Sequence, residues 1–150
     1  MSHTYISSFH HLVWGTKGRF PFLTDPLKHQ VYRYIGGIVR RENSDLIAIG
    51  GMPDHVHLLV ALNKNMTVPD LVRKIKSNSS KYLNENRPNM KFSWQEGYGS
   101  FSVSVSMLEV VKNYIDQQEE HHKKGSFEEE YVALLKRHNI NFDMQYLFKY

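Results

Sequence analysis

The chain has 150 residues, enough for one domain with a real core and too few for two ordinary ones. It contains no cysteine, which excludes disulfide scaffolds, thiolate metal sites and cysteine nucleophiles; any metal must be held by His, Asp, Glu or Gln. A net charge of +4 is compatible with a polyanionic partner but is common in proteins that never touch one.

No run of about 18 apolar residues occurs, and MSHTYISSFH lacks a basic region followed by an apolar signal segment. The expectation is a cytoplasmic protein with no membrane partner. No repeat or low-complexity linker divides the sequence, so it reads as a single unit over 1–150.

The first expected element is a strand over 5–15, YISSFHHLVWG, rich in aromatic and β-branched residues. Asp25 is placed to cap a helix with Pro26 at its first position, and Leu27, Val31, Tyr34, Ile35 and Ile38 recur at helical spacing to about Arg41. A strand over 45–49, a tight turn over 50–54 and a strand over 55–62 form a hairpin. Thr67 offers an N-cap for a second helix that must end before Pro88, with Arg73, Lys74, Lys76 and Lys81 on its exposed positions. The stretch 97–105, GYGSFSVSV, alternates from Phe101 as a strand does. Ser106 and Glu109 form a capping-box pattern that starts a helix at Met107, expected to run unbroken to Gly125. Ser126 and Glu129 repeat the pattern for a last helix to about His138, and the aromatic tail NINFDMQYLFKY should pack on the body. The order β-α-β-β-α-β-α-α is that of an α+β, ferredoxin-like (RRM-like) split βαβ antiparallel sheet with C-terminal helices. The core is expected over about 5–125, with the last helix and tail over 126–150.

Within the hairpin lies MPDHVHLLVAL. Residues i and i+2 of a strand share a face, so His55 and His57 present imidazoles about 7 Å apart on one side of the sheet. Two readings are open: a metal-binding pair, or two histidines that alternate by chance in a chain holding nine. His10 and His11 exemplify that background. Placement at the mouth of an apolar, central strand favours partnered imidazoles, with Asp54 a candidate to orient one ring.

On the capped helix, Val110, Tyr114, Gln118 and His121 fall in one stripe, beside an apolar face of Leu108, Val111 and Ile115. Tyr114 is there either a core-edge residue with its hydroxyl in water or a chemically active phenol.

These residues resemble the single-tyrosine HUH transposases of bacterial insertion sequences, the IS200/IS605-like group that includes the REP-associated tyrosine transposases. MPDHVHLLV looks like the HUH motif, and VVKNYIDQQEEHH like the nucleophile helix, with glutamine four residues after the tyrosine. HLVWGTKGRFPFL and WQEGYGSFSVS also look like family sequence, so the resemblance covers about 10–122. It implies that His55, His57 and Gln118 ligate a divalent ion, Mg²⁺ or Mn²⁺. It further implies that Tyr114 attacks single-stranded or hairpin DNA to leave a 5′-phosphotyrosine and a free 3′-OH, and that the protein forms a homodimer.

No base for Tyr114 is evident in the sequence; His121 and His122 are more readily read as helix-end histidines. The helix-borne Arg73, Lys74, Lys76 and Lys81, with Lys17 and Arg19 of TKGRFPF, are candidate DNA contacts. Trp94 and Tyr98 suit either the core or base stacking, and the core is preferred. Two other classes stay in view: a hydrolase in which His55, His57 and His121 or His122 hold Zn²⁺, and a non-enzymatic RRM-like module stacking bases on FHHLVW.

Overall fold

The computed structural model describes residues 3–122 and 125–148. Four strands form one antiparallel sheet: β1 (Phe9–Gly15), β2 (Asp45–Met52), β3 (His55–Ala61) and β4 (Gly99–Val103), in the spatial order β2-β3-β1-β4. That order, with α1 (Leu27–Arg41) and α2 (Val68–Asn86) as the crossovers, is the expected split βαβ arrangement. Three further helices follow: α3 (Leu108–Asp116), α4 (Gln118–His122) and α5 (Phe127–Arg137).

Alternation along the strands divides the sheet into two faces. Leu12, Trp14, Val56, Leu58 and Val60 point to one side and join buried residues of α1 and α2 in the main core. Trp94 belongs to that core: its ring packs edge-on against Trp14 and its Nε1–H donates to Ser79 Oγ at 2.9 Å. The opposite face presents His11, Val13, His55, His57, Leu59 and Phe101, and α3 to α5 cover it. With both faces covered and Trp14 fully buried, the described residues of the sheet offer no open aromatic platform for bases.

The Thr67 and Ser126 caps form as expected, accepting from the Asp70 and Glu129 N–H groups. Asp25 does not cap α1; it pairs with His29 at 3.2 Å instead. Nor does Ser106 cap α3: its hydroxyl bonds that of Ser104 at 3.0 Å, and a single 3₁₀ turn over Val105–Met107 leads into the helix. β1 starts at Phe9 rather than residue 5, because its partners on both sides, Ala61 and Val103, are the last of their strands. β2 runs on through Gly50 and Gly51, which pair with His57 and Val56, so the turn shrinks to Pro53 and Asp54.

The tail packs as expected over the described residues: Phe142, Leu147 and Phe148 lie on a cluster of Val13, Phe101, Phe127, Tyr131, Leu134 and Leu135. No helix among the described residues is long and apolar enough to cross a membrane.

Candidate active site

The helix carrying Tyr114 is not continuous. Ile115 is the buried anchor of α3, and its carbonyl oxygen approaches Gly50 so closely that a Cβ there would collide with it. At Gln117 the backbone leaves helical geometry, and α4 starts at Gln118. The break replaces the unbroken helix expected from the sequence. Val110, assigned to the Tyr114 stripe, lies exposed, while Gln118 is turned inward and buried.

Over the sheet, these side chains converge on the two strand histidines, both fully buried. Gln118 Oε1 lies 3.1 Å from His55 Nε2. His55 Nδ1–H donates to Asp54 Oδ1 at 2.7 Å, and His57 Nδ1 meets His11 Nε2 at 2.8 Å. His11, which the sequence offered only as background, is thus a buried partner that orients a site imidazole. Its alternation with Val13 on β1 was the available signal.

The residue that sequence reasoning missed is Glu130 of α5. Oε1 lies 2.9 Å from His57 Nε2, 3.3 Å from His55 Nε2 and 3.1 Å from His122 Nε2. Oε2 accepts from Gln118 Nε2 at 3.0 Å and from the Tyr114 hydroxyl. His122 also faces Gln118 Oε1 at 3.2 Å. The side chain of His121, like Lys123 and Lys124, lies outside the described residues. Glu130 was findable: Phe127, Tyr131 and Leu134 mark the buried stripe of α5, and position 130 falls on it.

The electrostatics follow from this packing. Burial favours a neutral Glu130, but hydrogen bonds from His55, His57 and the Tyr114 hydroxyl outweigh it and hold the carboxyl far below its usual range. Burial also works against a charged His55, yet the Asp54 and Glu130 carboxylates raise it to about 9. Burial dominates at His57 and His11, which fall to about 4 and about 3. The Tyr114 phenol is pushed up, first by burial and then by Glu130, with Gln118 and Arg137 opposing. Without an ion, then, the phenol stays protonated and a charged His55 supplies the site's positive charge.

The donor set fits a divalent cation. The groups around the site are imidazole nitrogens, an amide oxygen and a carboxylate, and Nδ1 of His55 is already committed to a carboxylate that can only accept.

The candidate DNA contacts are dispersed. Arg73 pairs with Asp70, Lys74 with Glu42 and Lys81 with Glu85, while Lys76 turns in to the carbonyls of Gln95, Glu96 and Gly97. Arg19 pairs with Glu128 and lies 5.8 Å from the Phe148 ring, and Lys17 is exposed in a 3₁₀ turn. A cation the sequence did not single out, Arg137, lines the clefts on both sides of Tyr114.

Residues 4–118 match the family model described as "Transposase IS200 like". The ISDra2 transposase TnpA of Deinococcus radiodurans is 26% identical over 115 residues, 73% of this chain and 82% of the relative. A crystal structure of a candidate transposase from Deinococcus radiodurans R1 superposes with a TM-score of 0.64 at 26% identity, covering 79% of this chain and 96% of that one. A structure of a REP-associated tyrosine transposase bound to a REP hairpin is similar in fold, with a TM-score of 0.61 at 15% identity over 81% of this chain and 73% of that one.

Proposed function

The chain belongs to the IS200-like transposases, which act on single-stranded DNA, and from that membership we propose that Tyr114 is the nucleophile that cuts and rejoins the strand. The observation that carries this reading is the convergence of Tyr114, Gln118, His55 and His57 on one point, from a helix pair and a strand some sixty residues apart.

His55, His57 and Gln118 would hold a divalent ion, Mg²⁺ or Mn²⁺. Such an ion supplies a Lewis-acidic charge that polarises a phosphodiester and stabilises the charge developing on it. Everything else falls to the chain. Asp54 and His11 fix the two imidazole rings. Glu130 Oε2 accepts the Tyr114 hydrogen bond, so the phenol is aimed.

In the cleavage step Tyr114 Oη bonds to phosphorus and its proton passes to water. The bond from phosphorus to the 3′ oxygen breaks, and that oxygen leaves as a hydroxyl after taking a proton from water. The 5′-phosphotyrosine keeps the energy of the phosphodiester, so a 3′-OH can reverse the step and join strands without ATP.

Arg137, beside Tyr114 and exposed, is the best-placed phosphate contact. Lys17, Arg73 and Lys81 would add only weaker electrostatic attraction away from the cleaved phosphate. Within one chain Tyr114 packs against His57 and Gln118 reaches His55, so a homodimer that keeps this arrangement would pair two complete sites. A cytoplasmic location is part of the same proposal.

The test uses labelled single-stranded hairpin DNA with Mg²⁺ or Mn²⁺. A denaturant-resistant protein–DNA adduct in the wild type, lost in Tyr114→Phe, is expected. Cleavage with no adduct would instead favour metal-assisted hydrolysis by water.

A further inference from the structure

Two imidazoles at the site have their tautomer set by groups that only accept. His55 Nδ1–H donates to the Asp54 carboxylate at 2.7 Å, and His122 Nδ1–H donates to the Gly125 carbonyl at 3.0 Å. In their neutral forms both therefore aim an Nε2 lone pair inward. What they meet is not a donor. His55 Nε2 faces Gln118 Oε1 at 3.1 Å and Glu130 Oε1 at 3.3 Å, and His122 Nε2 faces the same two oxygens at 3.2 and 3.1 Å. Gln118 cannot turn its amide to relieve this without losing the bond from Nε2 to Glu130 Oε2. Two imidazole nitrogens and two side-chain oxygens thus share one buried space, an arrangement that needs positive charge among them: a proton on His55 in the ion-free chain, or a cation in its place.

The separations match those a cation sets. Two ligand atoms at right angles about an ion, with bonds of about 2.1 Å, stand about 3.0 Å apart, and in a tetrahedral set about 3.4 Å. The donor atoms of His55, His122 and Glu130 all lie within 4.8 Å of one another. Glu130 Oε1 also reaches His57 Nε2, at 2.9 Å.

We propose that His122 and Glu130 are metal ligands alongside the strand histidines and Gln118. The segment after the family-matched residues thereby completes the ion's coordination with a third imidazole and the site's anionic ligand. This rests on the reading of His55, His57 and Gln118 as a metal site. Two consequences distinguish the fuller set from that trio. The carboxylate adds charge and so affinity, and a third imidazole favours Mn²⁺ over Mg²⁺, which prefers oxygen ligands and keeps its waters. Glu130 also ties the ion to the nucleophile, since its other oxygen holds the Tyr114 hydroxyl.

The experiment is an Mn²⁺ titration of the full chain, without DNA, following the free ion by its electron paramagnetic resonance signal. The variants are Glu130→Gln, Glu130→Asp, His122→Ala and His57→Ala, each checked by thermal melting. Glu130→Gln and His122→Ala should each weaken Mn²⁺ binding by about tenfold or more. His122→Ala should also narrow the preference for Mn²⁺ over Mg²⁺, read by competition. Should Glu130→Gln prove ill-folded, Glu130→Asp, which keeps the charge but shortens the reach, must still show weakened binding. If His57→Ala weakens binding while Glu130→Gln and His122→Ala leave it unchanged, the additional ligands are refuted and the trio stands. Tighter binding in Glu130→Gln would mean that the carboxylate competes with the ion for its place. A wild type that binds no Mn²⁺ refutes both the added ligands and the metal site beneath them.

Discussion

Gln118 Oε1 stands 3.1 Å from His55 Nε2 across 63 residues of chain, and this contact fixes the tyrosine helix over the strand that carries the histidine pair. The break at Gln117 separates α3 from α4, and α4 packs against β2. Just before the break the Ile115 carbonyl packs against Gly50, the only kind of residue that lets the end of α3 come so close.

Gly50→Ala is therefore expected to act at a distance. A Cβ at that position meets the Ile115 carbonyl oxygen, which is backbone and cannot swing aside. A loss of about 1–3 kcal/mol on chemical denaturation is expected from such overpacking, together with a larger proportional loss of DNA cleavage. Unchanged stability would show that α3 does not need this close approach.

Asp54→Ala and His11→Ala test the orientation of the strand histidines. Each removes the partner of an Nδ1 on a site imidazole while leaving His55 and His57 in place. Mn²⁺ affinity, measured by calorimetry, is expected to fall about 10- to 100-fold for each. Affinity equal to wild type would mean that packing alone holds the rings.

Acid sensitivity of the ion-free protein follows from the same two strands. His11 and His57 are held at about 3 and about 4, below the exposed-imidazole value of 6.5. Between these values the unfolded chain binds protons that the folded chain does not, so their contribution is complete above about 6.5 and is lost as pH falls toward 4. Glu130, held below its usual 4.5, adds a loss at the acid end. His55, raised to about 9, works oppositely: its contribution is complete below 6.5 and is lost as pH rises through 9. Thermal melts without metal should show a midpoint that drops from pH 6.5 to 4 and declines again near pH 9. A midpoint flat below pH 6.5 would contradict the buried, neutral state of His11 and His57.

Arg137→Ala is expected to reduce adduct formation at subsaturating DNA by more than Lys81→Ala does. Arg137 borders both clefts beside Tyr114, while Lys81 sits on the far helix and pairs with Glu85 at 4.0 Å. Equal effects from the two would indicate a diffuse electrostatic contribution in place of a contact at the cleaved phosphate.

How much of this was legible in the sequence varies by element. Thr67 and Ser126 announced their helices because an N-cap is a local interaction that a few residues settle. The same pattern failed at Ser106, whose hydroxyl found Ser104 instead. His55 and His57 were placed on one face by strand alternation alone. Glu130 was passed over because FEEEY reads as an acidic first turn facing water, although the stripe of Phe127, Tyr131 and Leu134 singles out position 130 among its three glutamates. The break before Gln118 left no such signal in the local sequence; it lies where the end of α3 meets Gly50 on another element.

The most direct measurement is the site of covalent attachment. Single-stranded hairpin DNA is cleaved in Mn²⁺, the adduct is digested with protease and nuclease, and the modified peptide is sequenced by mass spectrometry. A nucleotide phosphate on Tyr114 within VVKNYIDQQ is the expected result; attachment at any other residue, or cleavage with no modified peptide, would contradict the account.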